Sequence, residues 1–435
     1  MFLKIRSSGG SVTTPIPFPE LLRHHRVRAG LTQRALADLS TVSPRAIRDL
    51  EAGRANARTQ TIHLLADGLH LQGAMRDLFV TASLTRRPTG PFDNGCCTAA
   101  PTAPDALIGR EGEVLDLLEV LASGRRMIAL SGLPGVGKTR LAAEVSTRAG
   151  ARHDWPVLWI GTDMGTLHRH GTAYGPLLRS LKSLTESDAD DETRDAVGQV
   201  RQLIGRHEAL LVLDGLAEAT MPLLVRELLA QCPGLRVITT SRRPWHVAGA
   251  HPAVVAPLPT PSMRTEAPAE LAGVPSVRLF VERLAQARPG FGLSTANALA
   301  AAEICRRLDG LPLALEVVAE RGRVLSPQQL AEVTPADLLD LAVPARPDRQ
   351  ALTIGAVVGA SLARLGKWHH TILRELAGTA RPGTVTDVVR ALGHGLDEVA
   401  AGLDVLIGCG LVRASHSEVS TELRVPNLVR TLVLR

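Results

Sequence analysis

The sequence predicts a multidomain chain of α and α/β class: an all-α unit first, a parallel sheet flanked by helices next, and further helices after it. Length is the first ground. A chain of 435 residues exceeds what one hydrophobic core organises and suggests three or four units. Periodicity is the second, because apolar residues in 20–83 recur at helical spacing, whereas beyond residue 105 short apolar runs alternate with helical stretches. The third is a single motif: Gly132-Leu133-Pro134-Gly135-Val136-Gly137-Lys138-Thr139 fits G-x-x-x-x-G-K-[ST] without mismatch.

After an N-terminal tail (1–19), residues 20–83 read as short amphipathic helices. Leu21, Leu22, Leu31, Leu36, Leu39, Val42, Ile47 and Leu50, then Ile62, Leu65, Ala66 and Leu69, occupy the expected core positions. Thr32 is placed to N-cap one helix and Ser43 the next, with Pro44 at a first helical position where its missing N–H is no loss. Ser40-Thr41-Val42 separates the two. With Ile47 and Leu50 inward, the second helix leaves Pro44, Arg45, Arg48 and Asp49 outward, an arrangement that the second helix of a helix-turn-helix needs.

Charge points the same way. The first 87 residues hold thirteen Lys and Arg against six acids, more than the whole chain's net +6. An anionic partner for the N-terminal unit follows, with nucleic acid the first candidate. The segment LLRHHRVRAGLTQRALADLSTVSPRAIRDLEAGRA closely resembles the phage-repressor-like (Cro/C1, XRE) helix-turn-helix family. The resemblance implies that Gln33 and Arg58 hold phosphates while Arg45 and Arg48 read bases of double-stranded DNA, with Ser43 at the start of their helix. One departure stands out: Thr41 occupies a turn position where that family usually has Gly, and a β-branched residue suits φ > 0 poorly. A slightly remodelled turn is expected.

Residues 84–105, rich in Pro, Thr, Gly and Ala without periodicity, read as a flexible linker. The nucleotide-binding domain is expected over 106–260. Its apolar run Arg126–Leu130 reads as a buried strand, and Lys138–Val145 as the helix that follows the loop. In such a loop the glycines let several backbone N–H groups face one anion, with Gly132, Gly135, Gly137 and Arg140 as candidate contacts. Lys138 adds a point charge for the β and γ phosphates, and Thr139 a hydroxyl ligand for Mg²⁺. Lys138 is one of only four lysines in the chain. Further strands are expected at Val157–Ile160, Ala209–Leu213 and Arg236–Thr240, with ligands at their carboxyl ends. Asp214 follows one such run as a Mg²⁺-coordinating carboxylate should, and Arg242 ends the next as a cation for a γ-phosphate.

Ile108-Gly109-Arg110-Glu111, the phosphate loop, Val212-Leu213-Asp214-Gly215, Thr239-Thr240-Ser241-Arg242 and Asp309-Gly310-Leu311-Pro312-Leu313-Ala314-Leu315 occur in that order. Together they resemble the NB-ARC branch of the STAND nucleotide switches, in its bacterial regulators, from about residue 106 onward. The resemblance implies ATP or ADP with Mg²⁺, Gly109 and Arg110 near the base and ribose, and Pro312 on the adenine. It also implies a helical domain over 261–345 and a winged-helix domain over 350–435, the latter closing over ADP. Where many members carry Met-His-Asp this chain has Val425-Pro426-Asn427, so no histidine contact to the ADP β-phosphate transfers. No repeat array of the tetratricopeptide, leucine-rich or WD40 kind is read.

No run of about 18 apolar residues and no apolar leader argue for a cytoplasmic chain without membrane contact. The five cysteines, among them Cys96-Cys97, and the fourteen histidines lack metal-ligand spacing. The leading reading is a sequence-specific DNA-binding transcription regulator switched by ADP and ATP, with nucleotide-dependent self-association. The alternative is an oligomeric signalling or defence NTPase whose N-terminal unit recruits protein. Lys138 and Asp214 are the candidate catalytic residues; with Gly215 after Asp214 and Glu218 the nearest further acid, slow turnover is expected.

Overall fold

The computed structural model describes residues 18–52, 59–71, 75–76, 79–80, 105–161, 204–205, 207–215, 221–245, 247–341, 353–379 and 381–435. The linker reading falls almost wholly outside them, as do Arg58, Glu218 and the Cys96-Cys97 pair. By contacts the chain forms two compact units, 1–94 and 95–435.

The first unit consists of α1 (Phe18–Arg28), α2 (Gln33–Ser40), α3 (Pro44–Glu51) and α4 (Thr59–Gly68). Thr32 Oγ1 accepts from Ala35 N at 3.1 Å and Ser43 Oγ from Ala46 N at 3.2 Å, so both expected caps form. Leu22, Leu36, Ile47, Leu50, Ile62 and Leu65 close the core, with Phe18 against Phe79 at a ring separation of 5.1 Å. Leu39 corrects the periodicity reading: it lies on the outer side of α2 and is 52% exposed. Thr41 takes φ +57° and ψ +15° as the C-cap of α2. The turn therefore keeps its left-handed form, and Thr41 bears the conformation that Gly would adopt freely.

The second unit opens with α5 (Glu111–Ala122), β1 (Met127–Ser131), α6 (Lys138–His153), β2 (Val157–Gly161) and β3 (Ala209–Asp214). There follow α7 (Met221–Gln231), β4 (Leu235–Thr240) and β5 (His251–Val254). The strands are all parallel, in the order β2-β3-β4-β1-β5. β1 is buried along its whole length, as a central strand covered on both faces must be. β5, which carries Pro252, forms one edge and was not among the strands read from sequence.

Eleven α-helices and a hairpin complete this unit among the described residues, and eight of the helices come first. They are α8 (Pro268–Gly273), α9 (Pro275–Ala287), α10 (Ala298–Arg307), α11 (Pro312–Glu320), α12 (Pro327–Glu332), α13 (Pro335–Leu339), α14 (Ile354–Leu362) and α15 (Lys367–Gly378). Beyond them lie α16 (Val385–Leu392), α17 (Leu396–Gly408), the antiparallel strands β6 (Arg413–His416) and β7 (Thr421–Arg424), and a final α18 (Asn427–Leu434). One apolar cluster runs from the sheet through α9–α11 into α14–α18. Cys232, Cys305 and Cys409 are buried thiols; burial pushes Cys305 up to about 12. No described helix is long and apolar enough to cross a membrane.

Candidate functional site

β1 delivers the chain into the loop at Gly132 and α6 takes it away at Lys138. Gly132, Gly135 and Gly137 hold φ of +136°, +79° and +101°, a region in which a side chain is strained. Two of them are also sterically required. A Cβ on Gly132 would lie 2.8 Å from Val255 O, and one on Gly135 2.6 Å from the Leu313 side chain. Gly137 faces open space and serves the backbone path alone.

Behind the loop, α6 presents the unsatisfied N–H groups and positive dipole end of its first turn. Lys138 Nζ donates to Gly132 O at 2.8 Å and Leu133 O at 2.9 Å, which folds the ammonium over the loop. The pairing of β3 with β4 sets Asp214 beside Thr240. Asp214 Oδ1 accepts from Thr139 Oγ1 at 2.7 Å and from Thr240 Oγ1 at 2.6 Å, and Gly215 N donates to Thr240 Oγ1 at 2.9 Å. A hydroxyl and a carboxylate oxygen within one hydrogen bond, at the mouth of an N–H cradle, form a hard donor set of the kind Mg²⁺ takes beside a polyphosphate. Thr240 was not singled out from sequence; its place beside Asp214 depends on strand order.

Other expected residues cluster here in different capacities. Arg110 is buried, with Nη1 donating to Glu113 Oε1 at 2.6 Å and Nη2 to Val136 O at 3.0 Å and Ala256 O at 2.6 Å. Its guanidinium braces the phosphate loop from behind. Gly109 (φ +65°) packs where a Cβ would meet Pro275 at 2.4 Å. Arg140 is half-buried on α6, and Arg242 is exposed just beyond β4. Pro312 starts α11, whose Leu313 N donates to Gly135 O at 3.2 Å, so the helical segment rests directly on the loop. From the C-terminal side Gly410 (φ +74°) sits where a Cβ would lie 2.9 Å from Leu133 N.

A buried carboxylate missed in the sequence joins these parts. Asp309 Oδ2 accepts from Leu428 N at 2.9 Å, and Arg413 Nη2 donates to Asp309 O at 2.8 Å. Burial pushes the Asp309 carboxyl up, against the opposing pull of the Leu428 and Asn427 N–H groups and the charges of Arg413 and Arg424. Among the described residues no cluster of three or more His, Cys, Asp or Glu is arranged to hold a metal ion.

In the first unit, Arg45 and Arg48 stand exposed on α3 while Ile47 and Leu50 of the same helix are buried. Ser43 uses its side-chain oxygen as a cap. The Gln33 amide donates to Glu51 Oε2 at 2.7 Å, and Glu51 also takes Arg26 Nε at 2.5 Å and Arg26 Nη2 at 3.0 Å. Burial disfavours the Glu51 charge, but the hydrogen bonds from Arg26 and Gln33 outweigh it and hold the carboxyl below the usual range. This network ties α1, the start of α2 and the end of α3 together behind the exposed arginines.

Comparison with known proteins shows a match to a helix-turn-helix domain over residues 18–79 and to an AAA ATPase domain over 106–402. Rv0890c of Mycobacterium tuberculosis, whose name describes an HTH-type transcriptional regulator, is 32% identical over 326 residues, covering 73% of this chain and 34% of its own length. An uncharacterised protein of that organism, Rv0894, is 27% identical over 69% of this chain and 67% of its own. The regulatory protein AfsR of Streptomyces coelicolor is 32% identical over 39% of this chain and 17% of its own length. A STAND protein with a tetratricopeptide repeat sensor from Pyrococcus horikoshii aligns with 77% of this chain and 43% of that chain, at 13% identity and a TM-score of 0.30. The chain thus spans 34% of the first of these relatives.

Proposed function

The chain belongs to the AAA ATPase domain family and carries a helix-turn-helix domain ahead of it, and on that premise we propose that it is a transcription regulator whose grip on operator DNA is set by whether ADP or ATP occupies the phosphate loop. The observation that supports this most is the double contact on the loop: Leu313 N on Gly135 O from the helical segment, and Gly410 on Leu133 from the C-terminal helices and hairpin. A nucleotide in the loop must therefore bear on how those segments close.

In this reading Gly132, Gly135, Gly137 and the start of α6 hold the phosphates, Lys138 turns from the loop carbonyls to the β and γ phosphates, and Arg140 and Arg242 flank them. Thr139 and Asp214 hold Mg²⁺, which when bound offsets phosphate charge. Thr240 orients the Asp214 carboxylate, and Gly109, Arg110 and Pro312 shape the side toward the base. The segment α14–α18 with its hairpin acts as the winged-helix cover. A switch from 1:99 to 99:1 needs about 5.5 kcal/mol of differential binding, within reach of phosphate and metal contacts. Hydrolysis is slow, since Gly215 offers no side chain beside Asp214.

One helix-turn-helix reads one half-site, so opening with ATP would gather several copies and their tethered DNA-binding units. Arg45 and Arg48 meet base edges, with Gln33, Ser43 and Arg58 toward the backbone. The test is binding of the purified full chain to genomic fragments, including its own upstream region, with ADP or a non-hydrolysable ATP analogue at fixed salt. Selective binding that differs between the nucleotides is expected, with Lys138→Ala abolishing the difference. Arg45→Ala and Arg48→Ala should each weaken specific binding by about 1–3 kcal/mol. Nucleotide binding with only weak, salt-labile DNA association would instead favour a signalling platform that recruits protein.

A further inference from the structure

Five consecutive residues after α10 touch three parts of the second unit. Asp309 (φ +53°) holds the C-terminal segment by two of its own atoms: Oδ2 takes Leu428 N, and its backbone carbonyl takes Arg413 Nη2. Next to them Asn427 Nδ2 donates to Arg306 O at 3.1 Å. Gly310 (φ +69°) lies so close to the strand-side backbone that a Cβ would be 2.0 Å from Leu258 O, and its carbonyl accepts Leu258 N at 3.0 Å. Leu313 N then reaches Gly135 O in the phosphate loop. The turn cannot shift at one of these contacts without disturbing the others, because Asp309 and Gly310 are both in left-handed conformations and both are packed.

We propose that Asp309 is the latch of the closed form: its buried carboxylate grips the N-terminus of α18, and release of that grip is the step by which the C-terminal segment lifts from Gly132 and Leu133. A cap supplied from 119 residues away stabilises a docking, whereas a local cap would stabilise only its own helix. The group also suits an all-or-none contact. A buried carboxylate is tolerated while hydrogen-bonded to N–H groups and near cations, and equally when fully hydrated, but not in a partly opened state between. Arg413 adds a second strand to the hold three residues beyond Gly410, the residue seated on Leu133. The consequence for exchange at the loop rests on the nucleotide-gated reading above; the contact itself does not.

The test uses the full chain and three variants. Asp309→Gly removes the carboxylate but accepts the left-handed turn; Asp309→Asn keeps both the turn and one acceptor; Arg413→Met removes the other half of the hold. Hydrogen exchange is followed at the amides of 427–434, and dissociation of a fluorescent ADP analogue is timed by stopped flow. Asp309→Gly should speed exchange in α18 and analogue release by about tenfold or more, since it leaves the buried Leu428 N–H without its acceptor. Asp309→Asn should restore most of both, and Arg413→Met should move both in the direction of Asp309→Gly. Unchanged exchange at 427–434 in a folded Asp309→Gly, or in Arg413→Met should Asp309→Gly fail to fold, overturns the latch. If the wild-type chain binds no analogue, the nucleotide reading fails while the hydrogen-exchange arm still decides the contact.

Discussion

Glu51 shows how a single side chain conditions the exposed arginines. Its side chain is 5% exposed and that of its partner Arg26 13%, so the pair is shielded and loss of one member strands the other. Glu51→Ala is expected to destabilise the first unit by about 3 kcal/mol, read as faster hydrogen exchange across α1–α3 in the full chain. The pH dependence has a fixed sign. Because the folded carboxyl titrates below its ordinary value, its contribution is complete above the usual glutamate range and is lost as pH falls through the depressed folded value. Protection of α1–α3 should drop in acid, and Glu51→Gln should flatten that slope. Placement at this scale was legible where it is local: the positions of Lys138 and Thr139 at the end of the loop and the two N-caps needed only their neighbours. Glu51 lies within the stretch that carries the helix-turn-helix resemblance, and nothing in its surroundings announced Arg26, twenty-five residues earlier, as its partner.

Turns and strands were legible to the extent that their determinants are short-range. The apolar run before the phosphate loop gave β1 to within one residue, while β5, four residues interrupted by Pro252, offers no periodicity and exists because β1 supplies an edge. Leu39 fits a helical spacing yet faces solvent, since a repeat of apolar residues on a short helix does not say how wide the covered face is. Thr41 carries the strongest prediction among the elements. Its left-handed φ strains a β-branched residue, and with the turn kept in that form Thr41→Gly should stabilise the first unit by about 1 kcal/mol. Slower hydrogen exchange in α2 and α3 is the measurement; faster exchange would mean that Thr41 has a compensating contact.

Across the second unit the decisive contacts join residues far apart in sequence, so the sequence motifs marked the pieces without their assembly. Asp309 stood within a quoted motif, but its partner Leu428 could not be named before α18 was placed. Gly410 was an unremarked glycine until the fold set it on Leu133. Gly410→Ala, which forces a side chain to 2.9 Å from a backbone nitrogen at φ +74°, should loosen the C-terminal segment. A lower melting temperature with faster release of an ADP analogue is expected, and retention of both wild-type values would remove Gly410 from the closure.

Pro252 has a bearing on how copies of this chain can meet. Among the described residues β5 is an outer strand of the sheet, and its proline has no N–H to offer a neighbouring strand. A second sheet cannot continue the first across that side without leaving hydrogen-bonding groups unmatched. Any assembly of copies is therefore steered away from edge-to-edge joining on the β5 side.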